Sequence, residues 1–206
     1  MYKIAIIGSG NIGGALAQTL IKAGHLVLIG ARLPLSEKSM ALAAKIGMDH
    51  FDSMEKAVEA SDIVIFTTPP DASLQIVSNL KSLENKTIID TTNSVRVKPG
   101  PYPTVFHAIK ALTGNDKVVK CFNTTGFENI LNPKYNGMGI DMFCAGNNAE
   151  AKDIAIKLAQ DIGFAHCYNF GGDDKVELLE NLALCWINLA IMQGMGRNMA
   201  FKVIQR

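Results

Sequence analysis

Apolar residues cluster in short runs along the chain, and stretches with three-to-four-residue amphipathic spacing lie between most of them. The runs cover residues 3–7, 25–30, 62–66, 86–90, 117–122 and 141–146. A continuous apolar run, rather than an alternating one, predicts a strand covered on both faces, as in a parallel sheet. Brief strands are expected at 48–51 and 163–170. Helical spacing predicts helices over 11–22, 37–47, 53–60 with Ser53 as N-cap, from about 71, over 104–112, over 149–162, and over 173–201. The alternation implies an α/β fold with a doubly wound, mostly parallel sheet. No linker composition, low-complexity tract or repeat beyond the βα alternation interrupts it.

The first run leads into Gly8-Ser9-Gly10-Asn11-Ile12-Gly13, then a helix. Gly-x-Gly-x-x-Gly between a strand and a helix has a physical reading. Gly8 allows a tight turn, Gly10 admits a pyrophosphate against bare backbone, and Gly13 lets the helix pack closely on the strand. The helix start offers free N–H groups and a partial positive charge to that anion. The expectation is a Rossmann-type nucleotide-binding domain over residues 1–170. A C-terminal helical segment, 171–206, packs on it and enters a dimer interface.

The end of the second run selects the cofactor. An acid there would accept a ribose 2′-hydroxyl. This chain has Gly30-Ala31-Arg32-Leu33-Pro34, and its first acid after the glycine motif is Glu37. Arg32 is suited to grip a 2′-phosphate through a charge-assisted fork, with Ser36 and Lys38 as helpers, so NADP(H) is expected over NAD(H).

Three further strand ends carry polar clusters: Thr67-Thr68-Pro69-Pro70, Thr91-Thr92-Asn93-Ser94 and Asn123-Thr124-Thr125. Ligands in open α/β sheets lie outside the carboxyl ends of strands. Thr67, Thr68 and Pro69 are therefore candidates to wall the cofactor, or else an ordinary turn capping the next helix. Asn93, Asn123 and Thr124 are neutral donors and acceptors of a kind that orients a carboxamide or a flat ring carbonyl. Turn capping is their commoner use.

Composition narrows the classes. The chain has 206 residues, 48% hydrophobic and 19% charged, with net charge +1, and so no electrostatic pull toward nucleic acid or anionic membrane. Met1-Tyr2-Lys3 runs straight into a strand, so no signal peptide and a cytoplasmic protein are expected. The four cysteines (Cys121, Cys144, Cys167, Cys185) form no Cys-x-x-Cys pair, lack metal-ligand spacing and read as buried thiols. The apolar stretch 178–194 is interrupted by Glu180, Asn181, Asn188 and Gln193. It reads as a buried or subunit-interface helix rather than a membrane span, with Glu180 and Asn181 lining a pocket or a dimer seam. Of the histidines only His107 is expected near the cleft, and no catalytic acid or base can be assigned. Hydride transfer needs no protein nucleophile, so that absence is compatible with reductase chemistry.

On the glycine motif, the Gly30-Ala31-Arg32 turn, the Thr67-to-Pro70 loop and Cys121-Phe122-Asn123-Thr124, the chain resembles the NADPH-dependent oxidoreductases related to the coenzyme F420:NADP oxidoreductases, over nearly its full length. The resemblance implies NADPH in the cleft, with phosphates at Ser9 to Ile12 and the 2′-phosphate at Arg32. It also implies a small-molecule redox acceptor, coenzyme F420 or a flavin, stacked on the nicotinamide near Asn123 and Thr124, and a homodimer. Deazaflavin-specific members tend to carry His-Thr where this chain has Asn123-Thr124. Two rival expectations stand beside it. One is an imine or carbonyl reductase of the pyrroline-5-carboxylate reductase type, which would need a larger helical domain. The other is a non-catalytic NADP(H)-binding sensor.

Overall fold

The computed structural model describes residues 1–31 and 36–206, with the backbone alone at Lys38. The chain runs β1 (Lys3–Ile7), α1 (Asn11–Lys22), β2 (Leu26–Gly30), α2 (Glu37–Ile46), β3 (Phe51–Asp52), α3 (Met54–Glu59), β4 (Ile63–Phe66), α4 (Pro70–Asn79) and β5 (Thr87–Asp90). It continues through α5 (Val105–Thr113), β6 (Val118–Cys121), α6 (Phe127–Leu131), β7 (Lys134–Tyr135), β8 (Met138–Gly139), β9 (Asp141–Ala145), α7 (Ala149–Ile162), β10 (His166–Gly171) and α8 (Val176–Ile187).

Eight strands form one sheet in the order β10-β9-β6-β5-β4-β1-β2-β3. Strands β2 to β6 run parallel to β1, whereas β9 pairs antiparallel with β6 and carries β10 parallel to itself. Chain order reverses between β1 and β4, so helices cover both faces and a crevice opens at the carboxyl edge. The period of two along each strand divides the core. Ile4 and Ile6 join Leu16 and Leu20 of α1 on one face, while Ala5 and Ile7 join Phe66, Phe106 and Ile109 on the other. Val176 and Leu179 of α8 belong to that second cluster. Each fully buried Ile, Leu or Phe contributes about 1.5–3 kcal/mol. The α/β doubly wound expectation therefore holds.

The structure corrects several local expectations. The final helix stops at Met192, closing with a wide π turn over Asn188–Met192 rather than running to Phe201. Gly194 and Gly196 follow with φ of +72° and +85°, left-handed values that end a helix. The tail then folds back: the Trp186 indole and the Asn129 amide both donate to the Met199 carbonyl at 2.7 Å. Arg197 forks onto Glu128 and lies over the Phe127 and Trp186 rings. Cys185 is exposed, because it sits on the outward side of α8, whereas Cys121, Cys144 and Cys167 are buried. The last strand begins at His166 because Gly163, at φ +111°, caps α7 and its neighbours make the turn. Residues 48–50 form a single helical turn before β3. The β7–β8 hairpin, turned by Asn136-Gly137 with positive φ at both, was not foreseen, nor was α6.

Candidate functional site

The turn after β1 is fixed by contact rather than by freedom alone. Gly8 sits at φ +118°, and a Cβ at Gly13 would lie 2.1 Å from the Gly8 carbonyl oxygen. Helix α1 thus presses directly on the turn. At Gly10 an added Cβ would meet nothing within 4 Å, so the space above it is open. Gly10 is the N-cap of α1, no side chain caps that helix start, and its first turn holds no acid. The result is an exposed set of backbone N–H groups facing open space, a cradle that fits a pyrophosphate. Ser9 is tied by its hydroxyl to that of Ser39 at 3.0 Å, which links the turn to the start of α2. Ser39 is fully buried, and sequence reasoning missed it. Ser36 caps α2 by accepting from Ser39 N–H.

Thr67 hydroxyl donates to the carbonyls of Ile7 (2.9 Å) and Gly8 (3.2 Å), locking the glycine turn onto the end of β4. Thr68 shares a hydrogen bond with the Ser73 hydroxyl at 2.9 Å, and Pro69 is the exposed N-cap of α4. Both readings of this loop thus have a physical basis. It borders the cradle, and it also caps a helix. Ala31 is buried, and its N–H reaches the Asp52 carbonyl at 3.3 Å. Arg32 lies outside the described residues, as does the Lys38 side chain.

The ends of β5 and β6 meet at an amide pair. Asn93 Nδ2 donates to the Asn123 carbonyl at 2.8 Å, and Asn123 Nδ2 donates back to Asn93 Oδ1 at 3.0 Å. The preceding Phe122 is fully buried with φ +61°, a left-handed conformation rare for a bulky residue. That left-handed turn ends β6 directly before Asn123. Among the described residues, the buried atoms Asn123 Oδ1 and Thr92 Oγ1 have no hydrogen-bond partner. Buried polar atoms are nearly always hydrogen-bonded, so these two at a strand's carboxyl edge call for a partner, an ordered water or a ligand. Thr124 is buried, its hydroxyl 3.6 Å from Met142 sulfur.

Beneath this edge lies a cluster with no counterpart in the sequence reading. Lys120, in the middle of an apolar strand, is fully buried, as is Asp90; Glu180 of α8 is 3% exposed. Lys120 Nζ donates to Asp90 Oδ2 at 2.8 Å and to Glu180 Oε1. Glu180 Oε2 accepts from Ser94 N–H at 2.7 Å, and Asp90 Oδ1 from Thr92 N–H at 2.9 Å. The cluster fastens α8 to the loop that carries Asn93. Burial pushes the Glu180 carboxyl up from its ordinary range, and Lys120 opposes that shift. Glu180 therefore faces a lysine on its inner side, and with the exposed Asn181 it also lines a pocket of about 190 Å³ beside Ser94 and Lys98, as expected of the pair. The sequence signal was a lysine and two acids inside apolar segments, whose pairing only the topology reveals.

His107 is half-buried on α5, with Nδ1 2.8 Å from the Thr104 hydroxyl, and burial lowers its pKa. A cleft of about 240 Å³ opens beside the glycine turn, lined by Ser9, Gly10, Asn11, Gln18, Phe127 and Leu131. Among the described residues, no helix is long and apolar enough to cross a membrane.

The sheet order and the glycine cradle define a Rossmann-type fold. Comparison with known proteins is more specific: residues 3–94 match the family described as NADP oxidoreductase, coenzyme F420-dependent. Over nearly its full length the chain is similar to F420-dependent NADP reductases, among them that of Methanocaldococcus jannaschii, with 26% identity across 92% of each chain. A crystal structure from Arthrobacter sp. FB24, described as a candidate F420-dependent NADP reductase, shares the fold over the whole of both chains, with TM-score 0.86 and 24% identity. Pyrroline-5-carboxylate reductase of Escherichia coli is 26% identical across 60% of this chain and only 44% of its own length.

Proposed function

We propose that this protein is an NADP-dependent oxidoreductase that passes hydride between NADPH and an F420-type deazaflavin. The observation that carries the reading is the glycine cradle, open above Gly10 and leading to the Asn93–Asn123 edge. The names of the relatives, which align nearly end to end, support the acceptor. The imine-reductase alternative has weaker support, since that alignment leaves more than half of the relative unmatched.

When bound, the nicotinamide supplies the hydride. The chain binds, orients and shields. Backbone N–H groups of Asn11 and Ile12, with Ser9 and the flanking Gly8 and Gly13, hold the diphosphate. Arg32, flanked by Ala31 and aided by Lys38, takes the 2′-phosphate. Thr67, Thr68 and Pro69 wall the ribose side. Asn123 Oδ1, buried and unpartnered, accepts from the carboxamide, with Asn93 holding its amide in place. Thr124 borders the acceptor. Orientation of this kind supplies much of the rate for a reaction that needs no protein nucleophile. A second copy of the chain covers the outward side of α8, where exposed Leu184, Ile191 and Met192 support an apolar interface.

Anaerobic single-turnover mixing of the NADPH-loaded protein with F420, FMN or a cyclic imine tests this. Fast oxidation of the nicotinamide by F420 is expected. Oxidation by FMN alone would shift the acceptor to a flavin, by the imine alone to a carbon–nitrogen bond. No oxidation by any of the three would favour a sensor.

A further inference from the structure

The buried Asp90–Lys120–Glu180 cluster holds more negative than positive charge. All four carboxylate oxygens accept from nitrogen donors: Thr92 N–H and Lys120 on Asp90, Lys120 and Ser94 N–H on Glu180. Four N–H donors set against four oxygens is the arrangement that stabilises carboxylates, although burial opposes it at Glu180; two carboxylates against one ammonium leave one negative charge uncompensated. The cluster is almost entirely shielded from solvent, so its field is weakly screened.

Its location gives that charge an object. Ser94, held by Glu180, follows Asn93 directly; Asn123 lies three residues beyond Lys120 and donates weakly to the Leu179 carbonyl, next to Glu180. The surplus charge therefore lies directly behind the edge assigned above to the nicotinamide. That ring is neutral when reduced and cationic once its hydride has left.

We propose that the Asp90–Lys120–Glu180 cluster sets the redox preference of the dinucleotide site: it holds the oxidised, cationic nicotinamide more tightly than the reduced one, and so makes bound NADPH a stronger hydride donor. The proposal rests on the nucleotide reading above. Neighbouring charges from the packed elements leave it intact. Lys98 on the loop and Glu177 of α8, both exposed, line one pocket with Glu180 and carry opposite charges, and Lys110 of α5 is paired with Asp173. His107 of α5 is depressed toward its neutral form.

The test is a pair of titrations, NADP⁺ and NADPH, into the full-length wild type, Glu180→Gln and Asp90→Asn. The two nucleotides share every contact except ring charge and pucker, so the ratio of their dissociation constants cancels damage to the cradle. Each variant is expected to move that ratio about three- to tenfold against NADP⁺, the scale of one unit charge acting over several ångströms at intermediate dielectric. In the wild type, acidification is expected to move the ratio the same way as the cluster takes up a proton, and Glu180→Gln to flatten that dependence. The pH arm also covers a variant that fails to fold. A ratio unchanged in the folded variants, or a wild-type ratio independent of pH, overturns the proposal while leaving nucleotide binding intact. Failure of the wild type to bind either nucleotide overturns the nucleotide reading, and this one with it.

Discussion

Asn93 and Asn123 clasp each other across two adjacent strand ends, each donating its side-chain amide to an oxygen of the other, at 2.8 and 3.0 Å. This reciprocal pair fixes the polar edge beside the cradle. In Asn93→Ala, Asn123 keeps a weak bond to Leu179 at 3.5 Å. Stability should fall by about 1–3 kcal/mol from the two lost, half-buried hydrogen bonds. Hydride transfer should fall further, by about tenfold to a hundredfold, because misplacement of even an ångström is costly in rate. Single-turnover kinetics beside a denaturation curve check both. A rate loss no larger than the stability change would remove Asn93 from the reaction space.

The three motif glycines are expected to fail in different ways. At Gly13 an added methyl would meet the Gly8 carbonyl at 2.1 Å, backbone against backbone. Gly13→Ala should cost about 1–3 kcal/mol as an overpacked core substitution, and nucleotide binding with it. At Gly10 the methyl meets only open space. Gly10→Ala should leave the melting temperature nearly unchanged yet weaken NADPH binding at least about tenfold, since it narrows the approach to the backbone. Unaltered binding in folded Gly10→Ala would move the phosphates elsewhere.

Lys120 serves two buried carboxylates at once. Lys120→Met strands both, and should destabilise the fold by about 3–5 kcal/mol. The stranded carboxyls then prefer the protonated state, so the loss should shrink as pH falls. Urea denaturation at neutral and acid pH reads this. A loss below about 1 kcal/mol would imply that the carboxyls are not both ionised in the wild type.

His25 is buried and stacked on Tyr2; its Nδ1 accepts from Tyr2 N–H at 3.2 Å, and its Nε2 lies 3.3 Å from Asp161. Burial lowers its pKa, with Asp161 opposing. A depressed histidine adds stability above the unfolded value of 6.5, lost as pH falls through the folded value. The melting temperature should therefore drop on acidification below about pH 6.5. His25→Gln should remove part of that slope, His107 retaining the rest. An unchanged slope would exclude His25.

The sheet could be read from the chain because runs such as Ile4–Ile7 and Ile63–Phe66 are buried on both faces and advertise it. The last helix was overextended because apolar spacing continues past Met192, while Gly194 and Gly196 carry the stop. The hairpin escaped notice because two residues per strand make no periodicity. Site elements that depend on one local motif, such as the glycine turn, could be located from sequence. The Asp90–Lys120–Glu180 cluster could not, because its members lie 30 and 60 residues apart and meet only through strand order. Ser39 looked like any helix-start serine until the fold brought it against Ser9.

The central claim is that the cradle holds a 2′-phosphorylated dinucleotide. Calorimetric titration of NADPH and NADH into the wild type and Arg32→Ala tests it most directly. NADPH should bind the wild type more tightly than NADH, and Arg32→Ala should weaken NADPH by about 1.5–3 kcal/mol, the scale of a charge-assisted contact, while leaving NADH nearly unchanged. No heat with either nucleotide, or a preference for the unphosphorylated one, would contradict it.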